Sequence, residues 1–165
     1  MAINPAQLIK LVINPTLRKM GEHSPNAVIL LLATAASESQ CGTYLGQSPS
    51  FKGCALGIYQ MELATYNDIL TNYLGFRDKY HQQLIKNLRL DGIQEHEALC
   101  YNLELATAFA RLHYLRVPEP IPSRFDTQAV WEYYKEHYNT DKGAATKQHF
   151  ITAFDKYVAP YMLHN

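Results

Sequence analysis

The most apolar stretch of the chain, AVILLLATAA at positions 27–36, follows a Ser24-Pro25 pair and is itself followed by an acidic residue, Glu38. Serine before proline is typical of a helix N-terminus. The apolar residues of this stretch occupy every side of a helix, which indicates a helix buried on all sides. The run is about half as long as a membrane span requires. We therefore expect a central helix that ends near Gly42, and no transmembrane segment.

Helix signals recur along the rest of the chain, whereas the alternation typical of strands is nearly absent. NPAQLIKLV and NPTLRKMG predict two short N-terminal helices, the second ending at Gly21. A loop with a short β-ribbon is expected from Gln40 to Gly57. FRDKYHQQLIKNLRL predicts a surface helix, and HEALCYNLELATAFARLHYL predicts a helix that the following prolines end. The apolar stripes at helical spacing are Leu63, Tyr66, Leu70 and Tyr73; Leu99, Leu103, Ala106 and Ala110; Val130, Tyr134 and His137; and Phe150, Phe154, Tyr157 and Tyr161.

The predicted fold is therefore all-α, or α with a very small β-ribbon, with about seven to eight helices. With 165 residues and 47% apolar composition, the chain is of a size for one domain over residues 1–165. Fifteen basic residues balance fifteen acidic ones, so the charge attraction that drives nucleic-acid binding is missing. The N-terminus does not read as a signal peptide, which predicts synthesis in a cytoplasm without export by that route.

Cysteine and histidine spacing gives little support for a metal or a cofactor. Three cysteines without an export signal favour reduced thiols, although Cys41 and Cys54 bracket the loop and could pair in an oxidising compartment. The seven histidines form no HExxH motif, and no CxxC pair occurs. The stretch GQSPSFKG lacks the phosphate-binding spacing of nucleotide sites. We expect no metal and no cofactor.

Glu38 has an unusual setting for a carboxylate. At the C-terminal end of a helix it faces the negative end of the helix dipole, and apolar neighbours reduce its hydration. Both effects predict a raised pKa, which suits a general acid of the kind used in glycoside hydrolysis. The alternative interpretation is a solvated glutamate at a frayed helix end.

Three short motifs follow one another in order: Glu38-Ser39, then GIYQ at positions 57–60, then YNT at positions 138–140. A fourth element, NLELATAFARLHYL, begins at Asn102. Together they resemble the lysozyme-like lytic transglycosylases of the soluble type, in the superfamily of goose-type lysozymes, whose pattern reads Glu-Ser, Gly-Leu-Met-Gln and Ala-Tyr-Asn-Ala-Gly. The resemblance covers roughly residues 25–158. Tyr59 stands where the family has methionine, and Thr140 stands where it has a small residue.

The resemblance implies a fold, an activity and a set of site residues. Glu38 is expected to be the single catalytic acid/base, and Tyr138 to lie against its carboxyl and orient it. From its helical spacing alone, Tyr138 is equally compatible with a place at the rim of the core. Ser39 is expected to position the sugar or the carboxyl, Asn139 to support the groove wall, and Gln60 to hydrogen-bond the substrate near the cleaved bond. The implied substrate-binding residues are Ser39, Gly57, Tyr59, Gln60, Tyr138 and Asn139.

The implied reaction is cleavage of the peptidoglycan glycan strand between N-acetylmuramic acid and N-acetylglucosamine. A lytic transglycosylase needs one carboxyl and yields a 1,6-anhydro end, whereas a hydrolytic lysozyme needs a second carboxylate, for which Glu62 and Asp68 are the nearest candidates. A muralytic domain of this kind suggests a bacteriophage endolysin, held in the host cytoplasm until release to the periplasm or cell wall, or a virion component. A third interpretation is an inactive virion protein that uses the fold to bind other virion or tail proteins.

Overall fold

The computed structural model describes residues 2–46, 55–88, 95–140 and 143–163. These residues form seven helices, and the fold is all-α, as predicted. The helices are α1 (residues 5–20), α2 (Pro25–Ser39), α3 (residues 63–74), α4 (Asp78–Leu88), α5 (Leu103–Leu115), α6 (residues 127–139) and α7 (Lys147–Tyr157). Two 3-10 turns, His96–Cys100 and Ala159–Tyr161, complete them. Within the described ranges, β structure is limited to isolated bridges that pair Leu56 with Gly46 and with Met61.

Helix α2 is the central helix predicted from the apolar run. Ser24 caps it, with its Oγ accepting the Ala27 N–H at 3.1 Å. Residues 27–37 are all buried, so the helix has no solvent-facing side over most of its length. It ends at Ser39, and the next three residues turn away through left-handed backbone, with φ of 50° at Gln40 and 82° at Gly42. Helix α7 packs against it.

The two short N-terminal helices predicted from the Asn-Pro pairs are one continuous helix, so this prediction was wrong. Helix α1 consists of Pro5–Leu8, a π-helical turn Ile9–Ile13, and Asn14–Met20. Asn4 caps its start as expected, but Asn14 is helical and its N–H bonds the Ile9 carbonyl. The wider π turn accommodates Pro15, which lacks an N–H and would crowd an ordinary helical turn.

The single helix predicted from HEALCYNLELATAFARLHYL is also divided. Residues His96–Cys100 form a 3-10 turn, and α5 begins only after Asn102, whose Oδ1 accepts the Leu105 N–H at 3.0 Å. Asparagine prefers this capping position to a helix interior, since its side chain competes for backbone hydrogen bonds. Leu99 therefore belongs to the 3-10 turn and not to α5, and its side chain enters the core from that turn.

One hydrophobic core joins the described helices. It takes buried side chains from α1 to α7 and includes Leu99 of the 3-10 turn. The aromatic stripe predicted for the last helix is buried at Phe150, Phe154 and Tyr157, whereas Tyr161 lies beyond α7 in its own turn. None of the helices in the described ranges is both long enough and apolar enough to cross a membrane.

Gly57 occupies a position that only glycine fits, and this generates a prediction. Its φ is +77°, and a Cβ there would come within 2.3 Å of the Leu99 carbonyl oxygen. Gly21 has nearly the same φ, +74°, but nothing lies within 4 Å of its Cβ position. We expect Gly21→Ala to cost about 1–2 kcal/mol of backbone strain. Gly57→Ala should cost that plus about 1–3 kcal/mol of overpacking.

Urea unfolding of the two variants measures this difference directly, because the cost of placing alanine at a positive φ is nearly the same at both positions. Equal losses of unfolding free energy would contradict the close approach between Gly57 and the 3-10 turn.

Candidate active site

Glu38 is the penultimate residue of α2 and lines an open, polar cleft. One wall of the cleft comes from the segment of residues 55–65, and the other from the end of α6 and the described residues after it, 138–140 and 143–144. His113 of α5 also lines the cleft. The carboxyl therefore lies where an apolar helix stem meets a surface that a polar ligand can reach.

Two side chains of α6 hold the Glu38 carboxyl. The Tyr134 hydroxyl donates to Glu38 Oε1 at 2.6 Å, and Asn139 Nδ2 donates to the same oxygen at 3.4 Å. The Ser37 Oγ donates to the Tyr134 hydroxyl at 3.1 Å. Both bonds to the carboxyl thus go to Oε1.

Burial raises the pKa of Glu38 above its usual 4.5, in the direction predicted from the sequence. The hydrogen bonds from Tyr134 and Asn139 and the charges of His149 and Lys135 act in the opposite direction and only partly offset it. His149 is held beside the helix end by donating from Nε2 to the Ser37 carbonyl at 3.0 Å. Glu38 consequently keeps its proton to a higher pH than an exposed glutamate does.

Asn139 is itself fixed from three directions. Its Oδ1 accepts from Lys135 Nζ at 2.9 Å and from the Ala145 N–H at 3.3 Å. Lys135 Nζ also donates to the Gly143 carbonyl at 3.0 Å. Gly143 lies so close that a Cβ there would come within 2.2 Å of Asn139 Oδ1. The groove-wall role predicted for Asn139 therefore extends to a direct bond with Glu38.

The hydroxyl predicted to orient Glu38 belongs to Tyr134 and not to Tyr138. The Tyr138 hydroxyl donates to the Tyr59 carbonyl at 2.9 Å, and its side chain lines the cleft. The two rings are stacked, with centroids 6.3 Å apart, so both lie on the same side of α6. Tyr134 is one turn closer to the end of α2, and for this reason it reaches the carboxyl. The sequence placed Tyr134 only in a core stripe, because spacing does not show where a buried tyrosine directs its hydroxyl.

Ser39, predicted to position the sugar or the carboxyl, does not line the cleft. Its side chain is buried, and its Oγ donates to the Ile58 carbonyl at 2.6 Å while accepting the Gly42 N–H at 2.8 Å. A hydroxyl used in this way has no free donor for a substrate. Ser39 instead ties the end of α2 to the turn of residues 57–60.

The GIYQ turn contributes one side chain to the cleft. Tyr59 is buried beneath it, with its hydroxyl 3.2 Å from Thr107 Oγ1, and burial raises its pKa. Gly57 shapes the backbone of the turn, and neither Gly57 nor Tyr59, both predicted to bind substrate, lines the cleft. Gln60 does line the cleft, held at φ 47° with Nε2 donating to the Gly57 carbonyl at 2.7 Å.

The two candidates for a second carboxylate lie in different places. Glu62 is exposed and lines the same cleft as Glu38. Asp68 does not line it, and its carboxylate accepts from Asn72 Nδ2 at 2.7 Å and pairs with Arg116. These two partners, Asn72 first, lower the pKa of Asp68. A second carboxylate in this cleft could therefore come from Glu62 but not from Asp68.

His113 is a cleft residue that the sequence did not single out. Its Nε2 is 2.7 Å from the His137 carbonyl, which can only accept, and its Nδ1 is 3.0 Å from Arg116 Nη2, which can only donate. These partners fix the neutral tautomer with the proton on Nε2. Burial lowers the pKa of His113 to about 4, so it stays neutral at physiological pH. A histidine among apolar residues of a helix carries no sequence signal for such a position.

Neither of the two described cysteines, Cys41 and Cys100, lines the cleft. The thiols of Cys41 and Cys100 are free, and burial raises the pKa of Cys41 to about 12. Cys54, proposed as a partner for Cys41, lies outside the described residues. In the part of the chain that the structure describes, no three His, Cys, Asp or Glu side chains come together as metal ligands would.

No protein-family model, curated protein or solved structure matches this chain. The likeness of the four motifs to the lytic transglycosylases therefore stays a prediction. Any functional conclusion has to be argued from the cleft and its carboxyl.

The two tyrosines of α6 give a matched test of this geometry. Tyr134→Phe removes a hydrogen bond that lowers the pKa of Glu38, so that pKa should rise further. Tyr138→Phe should leave the Glu38 titration nearly unchanged, and should cost about 1 kcal/mol of stability through the lost bond to Tyr59. Carboxyl ¹³C NMR titration, with the Glu38 signal assigned by its loss in Glu38→Gln, measures both. A larger shift in Tyr138→Phe than in Tyr134→Phe would contradict the assignment of the contact.

Proposed function

We propose that this protein cleaves the β-1,4 bond between N-acetylmuramic acid and N-acetylglucosamine in peptidoglycan, as a lytic transglycosylase with Glu38 as its acid/base. The observation that carries the proposal is the partly buried Glu38 carboxyl, held by Tyr134 and Asn139, with a raised pKa and facing an open polar cleft. A protonated carboxyl beside a groove is what cleavage of a glycosidic bond requires. The order of the four sequence motifs supports the same reaction and the same substrate.

The hydrogen bonds of Glu38 indicate which oxygen acts. Tyr134 and Asn139 both donate to Oε1, so among the described contacts Oε2 is the oxygen left to carry the proton. In the proposed first step, Oε2–H protonates the glycosidic oxygen as the C–O bond breaks. Tyr134 and Asn139 stabilise the carboxylate that forms, because hydrogen bonds to a charged group are stronger than those to a neutral one.

The second step uses groups of the sugar itself. The N-acetyl oxygen attacks the anomeric carbon, and this intermediate is then opened by the 6-hydroxyl of the same sugar, whose proton returns to the Glu38 carboxylate. The product is a 1,6-anhydro end. This route requires no second carboxylate, which agrees with the position of Asp68 outside the cleft.

A hydrolytic lysozyme is the second candidate, because Glu62 lines the same cleft. In that reaction a second carboxylate supports the positive charge at the sugar or activates a water. Glu62 is exposed and is the N-cap residue of α3, but its side chain makes no capping hydrogen bond to that helix. We favour the transglycosylase because the catalytic sequence motifs contain one acid. With either reaction the proposed place of action is the bacterial cell wall, reached by a phage endolysin or a virion component.

Incubation of the purified protein with peptidoglycan, followed by mass spectrometry of the released muropeptides, tests the proposal. The wild type should release fragments with 1,6-anhydro ends. Glu38→Gln should lose roughly 10²–10⁴-fold or more of the rate, because the amide cannot donate the proton, while its melting temperature stays close to that of the wild type. Near-normal cleavage by a folded Glu38→Gln protein would exclude Glu38 as the acid.

Glu62→Gln and Asp68→Asn serve as the matched pair within the same experiment. Each should retain at least about a tenth of the activity, which is a loss of no more than about 1.4 kcal/mol. Reducing ends, together with a large loss in Glu62→Gln alone, would establish the lysozyme reaction. Absence of any release by the wild type would favour a virion protein that binds without cleaving.

A further inference from the structure

A second depression lies beside the cleft, along α6. It is lined by Trp131, Glu132, Lys135, Glu136 and Thr140. Its volume is about 360 Å³, against about 260 Å³ for the cleft that holds Glu38. Thr140 lines both, so the two depressions meet at this residue. The surface available to a ligand therefore continues past the carboxyl along α6.

Three side chains spaced four residues apart on α6 connect the two depressions. Asn139 bonds Glu38, Lys135 Nζ donates to Asn139 Oδ1 at 2.9 Å, and Trp131 lies one turn beyond Lys135. Side chains at this spacing share one face of a helix. An extended ligand that reaches Glu38 and runs along this face would next meet the indole of Trp131.

The Trp131 ring is firmly placed and still accessible. It is partly buried, packing against Phe150 with ring centroids 5.4 Å apart and against Tyr134 at 6.0 Å. Glu132 and Glu136 stand beside it and are exposed. An indole offers a flat apolar surface to the C–H face of a sugar ring, while carboxylates accept strong hydrogen bonds from its hydroxyls. A rigid aromatic ring also loses little conformational entropy on binding.

We propose that this depression is a saccharide subsite, which binds a sugar of the glycan strand away from the bond that is cleaved. The inference rests on the proposed function and specifies its substrate as a strand of several sugars. Binding energy obtained here would be used to place the distant bond at Glu38, so long strands should be better substrates than short ones.

The chain contains a single tryptophan, so its fluorescence reports on this depression directly. Folded Glu38→Gln protein, in which cleavage is blocked, is titrated with N-acetylglucosamine oligomers of increasing length. We expect a saturable change in emission that appears with the longer oligomers, and a parallel binding isotherm by calorimetry. Binding by calorimetry without any change in emission would overturn the subsite.

A second set of variants tests the polar half of the depression without disturbing the packing of Trp131. Glu132→Gln combined with Glu136→Gln, in the Glu38→Gln background, should weaken binding of the longest oligomer about tenfold, equivalent to about 1.4 kcal/mol. Glu95→Gln is the control, since Glu95 is an exposed acid that lines neither depression. Equal affinity of the double variant and the control would overturn the proposal.

The subsite and the proposed activity fail in different ways. Muropeptide release by the wild type, with the same rate in Glu132→Gln/Glu136→Gln protein on long and short strands, would overturn the subsite and leave the activity intact. Oligomer binding that changes Trp131 emission, without any cleavage by the wild type, would support the subsite and exclude the activity.

Discussion

Partial burial of the Glu38 carboxyl at the end of an apolar helix is the constraint on which the site depends. Residues 27–37 of α2 are buried on all sides, so the end of this helix must be covered by other elements. Helix α6 covers it with Tyr134 and Asn139, which supply the hydrogen bonds that a buried acid requires. Helix α7 adds His149, bonded to the Ser37 carbonyl. The same contacts that satisfy the carboxyl also fix where it points.

Two residues of the short sequence motifs hold the turn of residues 57–60 beside this carboxyl. The Ser39 hydroxyl donates to the Ile58 carbonyl, and the Tyr138 hydroxyl donates to the Tyr59 carbonyl. Helices α2 and α6 are therefore both hydrogen-bonded to the turn that carries Gln60. Because these bonds are made to backbone carbonyls, they do not depend on which side chains residues 58 and 59 carry.

Patterning predicted the parts of the fold that depend on local sequence. The central helix followed from its apolar run and its Ser24 cap, and the raised pKa of Glu38 followed from the same run. The continuity of α1 could not be predicted, because it depends on a π turn that accommodates Pro15 within a packed helix. The sequence also could not show that Tyr134, and not Tyr138, hydrogen-bonds Glu38. Both lie on one helix face, and only the packing of α6 on α2 decides which hydroxyl reaches Glu38.

The dependence of kcat/KM on pH for glycan cleavage tests the central claim most directly, because it reports the protonation state in which Glu38 works. If Glu38 alone supplies the acid, the rate should fall as the pH rises through its raised pKa, with a single descending limb whose midpoint matches the carboxyl titration of Glu38. No ascending limb from a second carboxylate should accompany it. A bell-shaped profile whose ascending limb disappears in Glu62→Gln, or a descending limb unrelated to the Glu38 titration, would contradict the account.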